Sequence, residues 1–145
     1  AYAEDIVANG KAFGAAMAAA GFDVLAEGRG YTASHQILTR HGEQDSGAGA
    51  KAAALLEEAG IITNMNMLPG DTKAMTPSGP RLGVQELTRV GMDTTQMEEV
   101  ASLYARVLIK GEDAAAVKRD VTALKSEFQT IRYCFNDEQA SGYPL

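Results

Sequence analysis

The side chains that could do chemistry in this sequence gather in two places. In Pro77-Ser78-Gly79-Pro80-Arg81-Leu82-Gly83, two glycines and two prolines restrict the backbone on either side of one arginine. Such a frame holds a guanidinium in place. Its planar fork of donors matches a carboxylate, so Arg81 is a candidate grip for the acid group of a small amino-acid substrate. An ordinary surface ion pair on a strand is the plainer account, and spacing alone favours it. The second place is Asn64-Met65-Asn66. An amide both donates and accepts, which suits the edge of a heterocycle, although turn formation explains asparagine equally well. Met65, Met67 and Met75 suit either an adaptable pocket or the filling of gaps in an apolar interior.

Other chemistries find little support. His35 and His41 have no third ligand at a recognised spacing, so no metal site is assigned, and a structural and a loop imidazole are the better reading. The single cysteine, Cys134, excludes an internal disulfide and a four-cysteine zinc site, and it fits a reducing cytosol. Neither a Gly-x-Ser-x-Gly elbow nor a GxxxxGK[ST] loop is present, and Gly28-Arg29-Gly30 by itself is turn chemistry. No catalytic residue is assigned. A formal charge of -6 and a pI near 4.9, with no tryptophan, argue against nucleic acid as a partner. No apolar run approaches the ~18 residues that cross a bilayer, so no membrane is expected.

The elements that must position these residues follow from periodicity. Tyr2, Ile6, Phe13 and Met17 fall at helical offsets over residues 2–19, with Gly21 as a stop. No capping residue precedes this helix, which suggests a chain that begins within it. Residues 22–25 and 34–40 predict two strands, as a hairpin. Ala52, Leu55, Leu56 and Ala59 predict a helix over 46–59 ending at Gly60, followed by a short strand at Ile61–Thr63. A long connection from Asn64 to Pro80 is of the kind that carries function, and Arg81–Val84 predicts another strand. Asp93 and Gln96 have capping-box spacing ahead of a helix whose buried stripe is Met97, Val100, Ala101, Tyr104, Val107 and Leu108. A last helix over 113–131 carries Val117, Val121, Leu124, Phe128 and Ile131, and the polar tail 136–145 is expected to fray. Together these predict an α+β fold in which a small, mostly antiparallel sheet is covered by helices, and one domain over residues 1–145.

The residues LLEEAGIITNMNMLPGD followed by PSGPRLGVQELTRVGM resemble the hallmark of the C-terminal small domain of the serine hydroxymethyltransferase family. The opening YAEDIVANGKAFGAAMAAAGFDVL resembles the helix and strand leading into that domain, and SHQ with LGVQELTRVGM looks closer to the archaeal-like branch than to the common bacterial form. The resemblance implies a fold-type-I pyridoxal-phosphate enzyme that moves a one-carbon unit between serine and glycine, with tetrahydrofolate or another tetrahydropterin as carrier. It implies that Arg81 binds the substrate carboxylate and that Asn66 contacts the tetrahydropterin. It places the Schiff-base lysine in a large domain, a context that none of Lys11, Lys51, Lys73, Lys110, Lys118 or Lys125 matches, so this chain alone is expected to be inactive. The implied partners are that large domain, a second subunit in a homodimer and the amino-acid substrate, in the cytoplasm. A threonine aldolase or transaldolase sharing the same grip, and a non-catalytic interaction module, are the alternatives.

Overall fold

The computed structural model describes residues 1–134. The chain runs α1 (Tyr2–Ala19), β1 (Asp23–Val24), β2 (Gln36–Arg40), α2 (Ala48–Glu58), β3 (Asn64–Asn66), β4 (Gly79–Gly83), α3 (Gln85–Arg89), α4 (Met97–Leu108) and α5 (Ala114–Glu127), with a 3₁₀ turn at Glu27–Arg29. The four strands form one sheet in the order β1-β2-β4-β3, with every pair antiparallel. This is the expected α+β architecture, and β1 and β2 are the expected neighbours.

Side chains alternate across a strand, and here the alternation separates a core face from an open one. Ile37, Thr39 and Leu82 are buried, whereas Gln36 and Gly83 are exposed and Leu38 and Arg81 are half-buried. The core face packs against α1 and α2, with α4 behind them. Phe13 and Met17 of α1, Leu56 of α2 and Met97, Val100, Ala101 and Tyr104 of α4 close one apolar cluster. The rings of Phe13 and Tyr104 meet edge to face at 5.5 Å. Asn9, buried in α1, satisfies its amide by donating to Thr88 Oγ1 and the Met92 carbonyl, which ties α1 to the α3–α4 corner.

Several local expectations shift. Ile61–Thr63 is not a strand: the Ile61 N–H closes α2 by donating to the Leu56 carbonyl, Ile62 is 78% exposed, and pairing with β4 starts only at Asn64. The connection from Asn64 to Pro80 therefore contains β3 and the start of β4. That strand begins two residues before Arg81, because Gly79 and Pro80 pair with Asn66 and Met65. Residues 85–89, unassigned from sequence, form α3. Leu55 lies 46% exposed beside the buried stripe of Ala52, Leu56 and Ala59. The Asp93 carboxylate accepts from Thr95 N–H and the Asp93 N–H donates to Gln96 Oε1, but this makes a turn ahead of α4, which starts at Met97 with Gln96 as its N-cap. The tail 136–145 lies outside the described residues.

Candidate functional site

Arg81 sits in the middle of β4, paired with Leu38 of β2 on one side and Asn64 of β3 on the other. Directly opposed residues share a face, so Leu38, Arg81 and Asn64 form one row on the open side of the sheet. Asn66 lies on the same face one step along, opposite Gly79. At ordinary sheet spacing the Cβ atoms of Arg81 and Asn64 are about 5 Å apart, and Asn66 is a diagonal neighbour at about 7 Å. The structure thus brings the two sequence-predicted site residues, Arg81 and Asn66, onto one open surface. Asn66 turns its amide toward the Met67 carbonyl, at 2.9 Å.

Among the described residues no hydrogen bond or ion pair engages the Arg81 side chain. The surface ion pair that spacing favoured does not form within them. A half-buried guanidinium with no partner among the described residues is a donor set available to a ligand.

The backbone leading into Arg81 is pinned at three successive carbonyls. The Pro77 carbonyl accepts from Gly49 N–H, the Ser78 carbonyl accepts from His41 N–H, and the Thr76 carbonyl accepts from Gly47 N–H. These bonds also satisfy orphan donors at the start of α2, so helix and loop complete each other. A side chain on Gly79 would place Cβ 2.0 Å from the Thr39 carbonyl oxygen and 2.7 Å from Leu68 Cδ1. Only glycine permits this approach. Leu68, buried, walls the end of the open face next to Asn66.

Asp71 holds this loop. Its Oδ2 accepts from Ser78 N (2.8 Å), Ser78 Oγ (2.8 Å) and Leu68 N (2.9 Å), and its Oδ1 accepts from Asp45 N (2.9 Å). Donation from Asp45 and Leu68 N–H, reinforced by Ser78 and opposed by burial, holds its carboxyl well below the usual carboxylate range. Asp45 returns the arrangement by accepting from Thr72 Oγ1 and from Thr72 and Lys73 N–H, which lowers its own pKa, the Thr72 hydroxyl contributing most. Arg40 completes the corner by donating to Ser78 Oγ and the Pro69 carbonyl, 3.8 Å from Asp23. Sequence reading missed Asp71, Ser78 and Arg40. Pro69-Gly70-Asp71 reads as turn chemistry, and nothing local announces a partner 26 residues away.

The histidines sit just outside the two ends of β2. His41 Nε2 shares a hydrogen bond with buried Thr39 Oγ1 at 2.9 Å, its ring lies 5.7 Å from Phe22, and burial, partly opposed by Asp23, lowers its pKa. Among the described residues no group of three or more His, Cys, Asp or Glu is placed to hold a metal ion. Among the same residues no helix is long and apolar enough to cross a membrane.

The family model for serine hydroxymethyltransferase matches residues 1–104, which include the entire sheet and the Arg81 face. The chain belongs to the serine hydroxymethyltransferase family. Serine hydroxymethyltransferase of Thermococcus kodakarensis is 50% identical over 146 residues, covering 99% of this chain and 33% of that protein. The Thermoplasma volcanium serine hydroxymethyltransferase is 44% identical over 98% of this chain and 33% of its own length. The chain thus spans about a third of the length of these relatives. The solved structure of L-threonine transaldolase from Pseudomonas fluorescens superposes with a TM-score of 0.79 at 30% identity, covering 88% of this chain and 28% of the other. The archaeal-like features of SHQ and LGVQELTRVGM agree with such relatives.

Proposed function

We propose that this chain is the C-terminal domain, residues 1–145, of a pyridoxal-phosphate-dependent hydroxymethyltransferase that interconverts serine and glycine with a tetrahydropterin carrier. Arg81 binds the substrate carboxylate, and Asn66 contacts the carrier. The observation that carries this reading is a half-buried guanidinium on a pinned strand, unpaired among the described residues, with one amide directly opposite and a second diagonal to it on an open sheet face.

The lysines of the chain do not fit a covalent attachment point for the cofactor. Lys11, Lys51, Lys73, Lys110, Lys118 and Lys125 are all exposed, and none stands on a strand. The cofactor's place is therefore in a large domain corresponding to the part of the relatives that this chain does not span, and the chain alone is inactive. What its own residues contribute is positional. A bidentate grip on the carboxylate fixes two points of a small amino acid and leaves its remaining bonds in one orientation. The same proposal includes a cytoplasmic homodimer, in keeping with the single cysteine.

The test is replacement of Arg81 in the full-length enzyme. Arg81→Ala is expected to weaken serine and glycine binding on the order of 100-fold, and Arg81→Lys to recover little because a point charge lacks the fork. Near-normal turnover by Arg81→Ala would refute the assignment. The likeness to L-threonine transaldolase favours a second reading, in which the same grip serves transfer to an aldehyde. Serine cleavage that needs added tetrahydropterin supports the first reading, and carrier-independent exchange with an aldehyde supports the second.

A further inference from the structure

We propose that Asp71 is a positioning residue for the amino-acid substrate: by clasping Ser78, its carboxylate sets where Arg81 stands on the sheet face. The proposal rests on the reading of Arg81 as the carboxylate grip.

Three donors converge on one oxygen of Asp71, and two of them, N–H and Oγ–H, belong to Ser78. Ser78 is fully buried, and its other groups are also engaged: the carbonyl by His41 N–H and the hydroxyl oxygen by Arg40. Between Ser78 and Arg81 lie only Gly79 and Pro80. Gly79 has no free space, because the Thr39 carbonyl and Leu68 press on one side and Gly49 of α2 approaches its backbone on the other. Pro80 has a fixed φ. The remaining torsions of Gly79 and Pro80 are held by their pairing with Asn66 and Met65, so a displacement at Ser78 is passed on to Arg81. The charge matters as much as the shape. An amide in place of the carboxylate either turns its NH₂ toward the donors of Ser78 and Leu68 or turns it toward Asp45 N–H, and each choice sets donor against donor. The distal side of the clasp is closed by Asp45, whose carboxylate holds Thr72 and Lys73, so the whole loop stands on two reciprocal carboxylates.

A loop stabiliser with no influence on the grip would share these hydrogen bonds, so the test must read the coupling to Arg81. In the full-length enzyme, dissociation constants for serine and glycine are measured for the wild type, Asp71→Asn, Arg81→Ala and the double variant, with thermal midpoints recorded alongside. Asp71→Asn is expected to weaken amino-acid binding roughly tenfold in the wild-type background. In the Arg81→Ala background the same change should alter binding by less than roughly twofold, since the group it acts through is gone. Ser78→Ala, which keeps the backbone donor, should give a smaller loss with the same background dependence, and it carries the comparison if Asp71→Asn does not fold. Equal losses in both backgrounds, or a lowered midpoint with unchanged binding, overturn the positioning role. A lost grip in Arg81→Ala combined with unchanged binding in Asp71→Asn and Ser78→Ala overturns that role alone. Unchanged binding in Arg81→Ala removes the carboxylate reading and this proposal with it.

Discussion

Replacing Gly49 by alanine should destabilise this protein, against the usual direction for a glycine in a helix. Gly49 is the second residue of α2, where alanine normally gains up to about 1 kcal/mol. Here a Cβ would lie 2.5 Å from the Gly79 carbonyl oxygen, 2.7 Å from its carbon and 2.8 Å from its nitrogen. Ordinary van der Waals contact begins near 3.4 Å, so helix and strand must part by nearly an ångström. Both are held by backbone bonds, Gly49 N–H to Pro77 and Gly79 within the β3–β4 pair, and no side chain can move aside instead. Overpacking of this kind costs about 1–3 kcal/mol, which exceeds the propensity gain at most values in that range. Set against a gain of about 1 kcal/mol, the expected net is a loss of up to about 2 kcal/mol, read as a lower denaturation midpoint in guanidinium at unchanged slope. Gly28→Ala is the matched control: nothing lies within 4 Å of its Cβ, and it should be neutral or slightly stabilising. In the full-length enzyme Gly49→Ala should also weaken amino-acid binding, because Gly79 is two residues from Arg81. A Gly49→Ala protein as stable as Gly28→Ala would refute the close-packing argument for the Arg81 platform.

Asn9→Leu should cost about 1–3 kcal/mol in the same assay, since it leaves the Met92 carbonyl without its buried donor at the α3–α4 corner, whereas Asn9→Ala adds a cavity to that loss. For His41, burial favours the neutral ring, so the unfolded chain binds the proton more readily than the native one. Its contribution is therefore complete above the unfolded value of about 6.5 and is lost as pH falls below it. Stability followed from pH 8 to pH 5 should decline across that window, and His41→Gln should flatten the decline; an unchanged profile would assign the effect to other groups. Asp71 titrates with the same sign lower down. Its contribution is present above the unfolded carboxyl value of about 4 and fades as pH falls through its depressed native value, so Asp71→Asn should remove part of the acid-side slope.

Much of this protein was legible in one dimension. The stripes of α1, α4 and α5 follow from contacts within a few turns, and Phe13, Met17, Met97, Tyr104, Val117 and Val121 are buried as their spacing requires, although α5 ends at Glu127 and leaves Phe128 and Ile131 of the expected stripe beyond it. Proline fixes its own φ, so part of the stiffness around Arg81 was also written locally, whereas Gly79, permissive by itself, is held by Thr39 and Leu68 pressing on it. What the tertiary structure decided is every matter of register. Ile61–Thr63 has strand chemistry and Asn64–Asn66 does not, yet β4 hydrogen-bonds the second segment, because Ile61 is spent closing α2 with its N–H on the Leu56 carbonyl and its side chain against the core. That register, and no property of asparagine itself, sets Asn64 across from Arg81. The clasp between Asp45 and Asp71 likewise joins residues 26 apart. Local preference is a property of each residue and its near neighbours, whereas pairing between distant segments depends on which backbone donors and acceptors the packed core brings within reach.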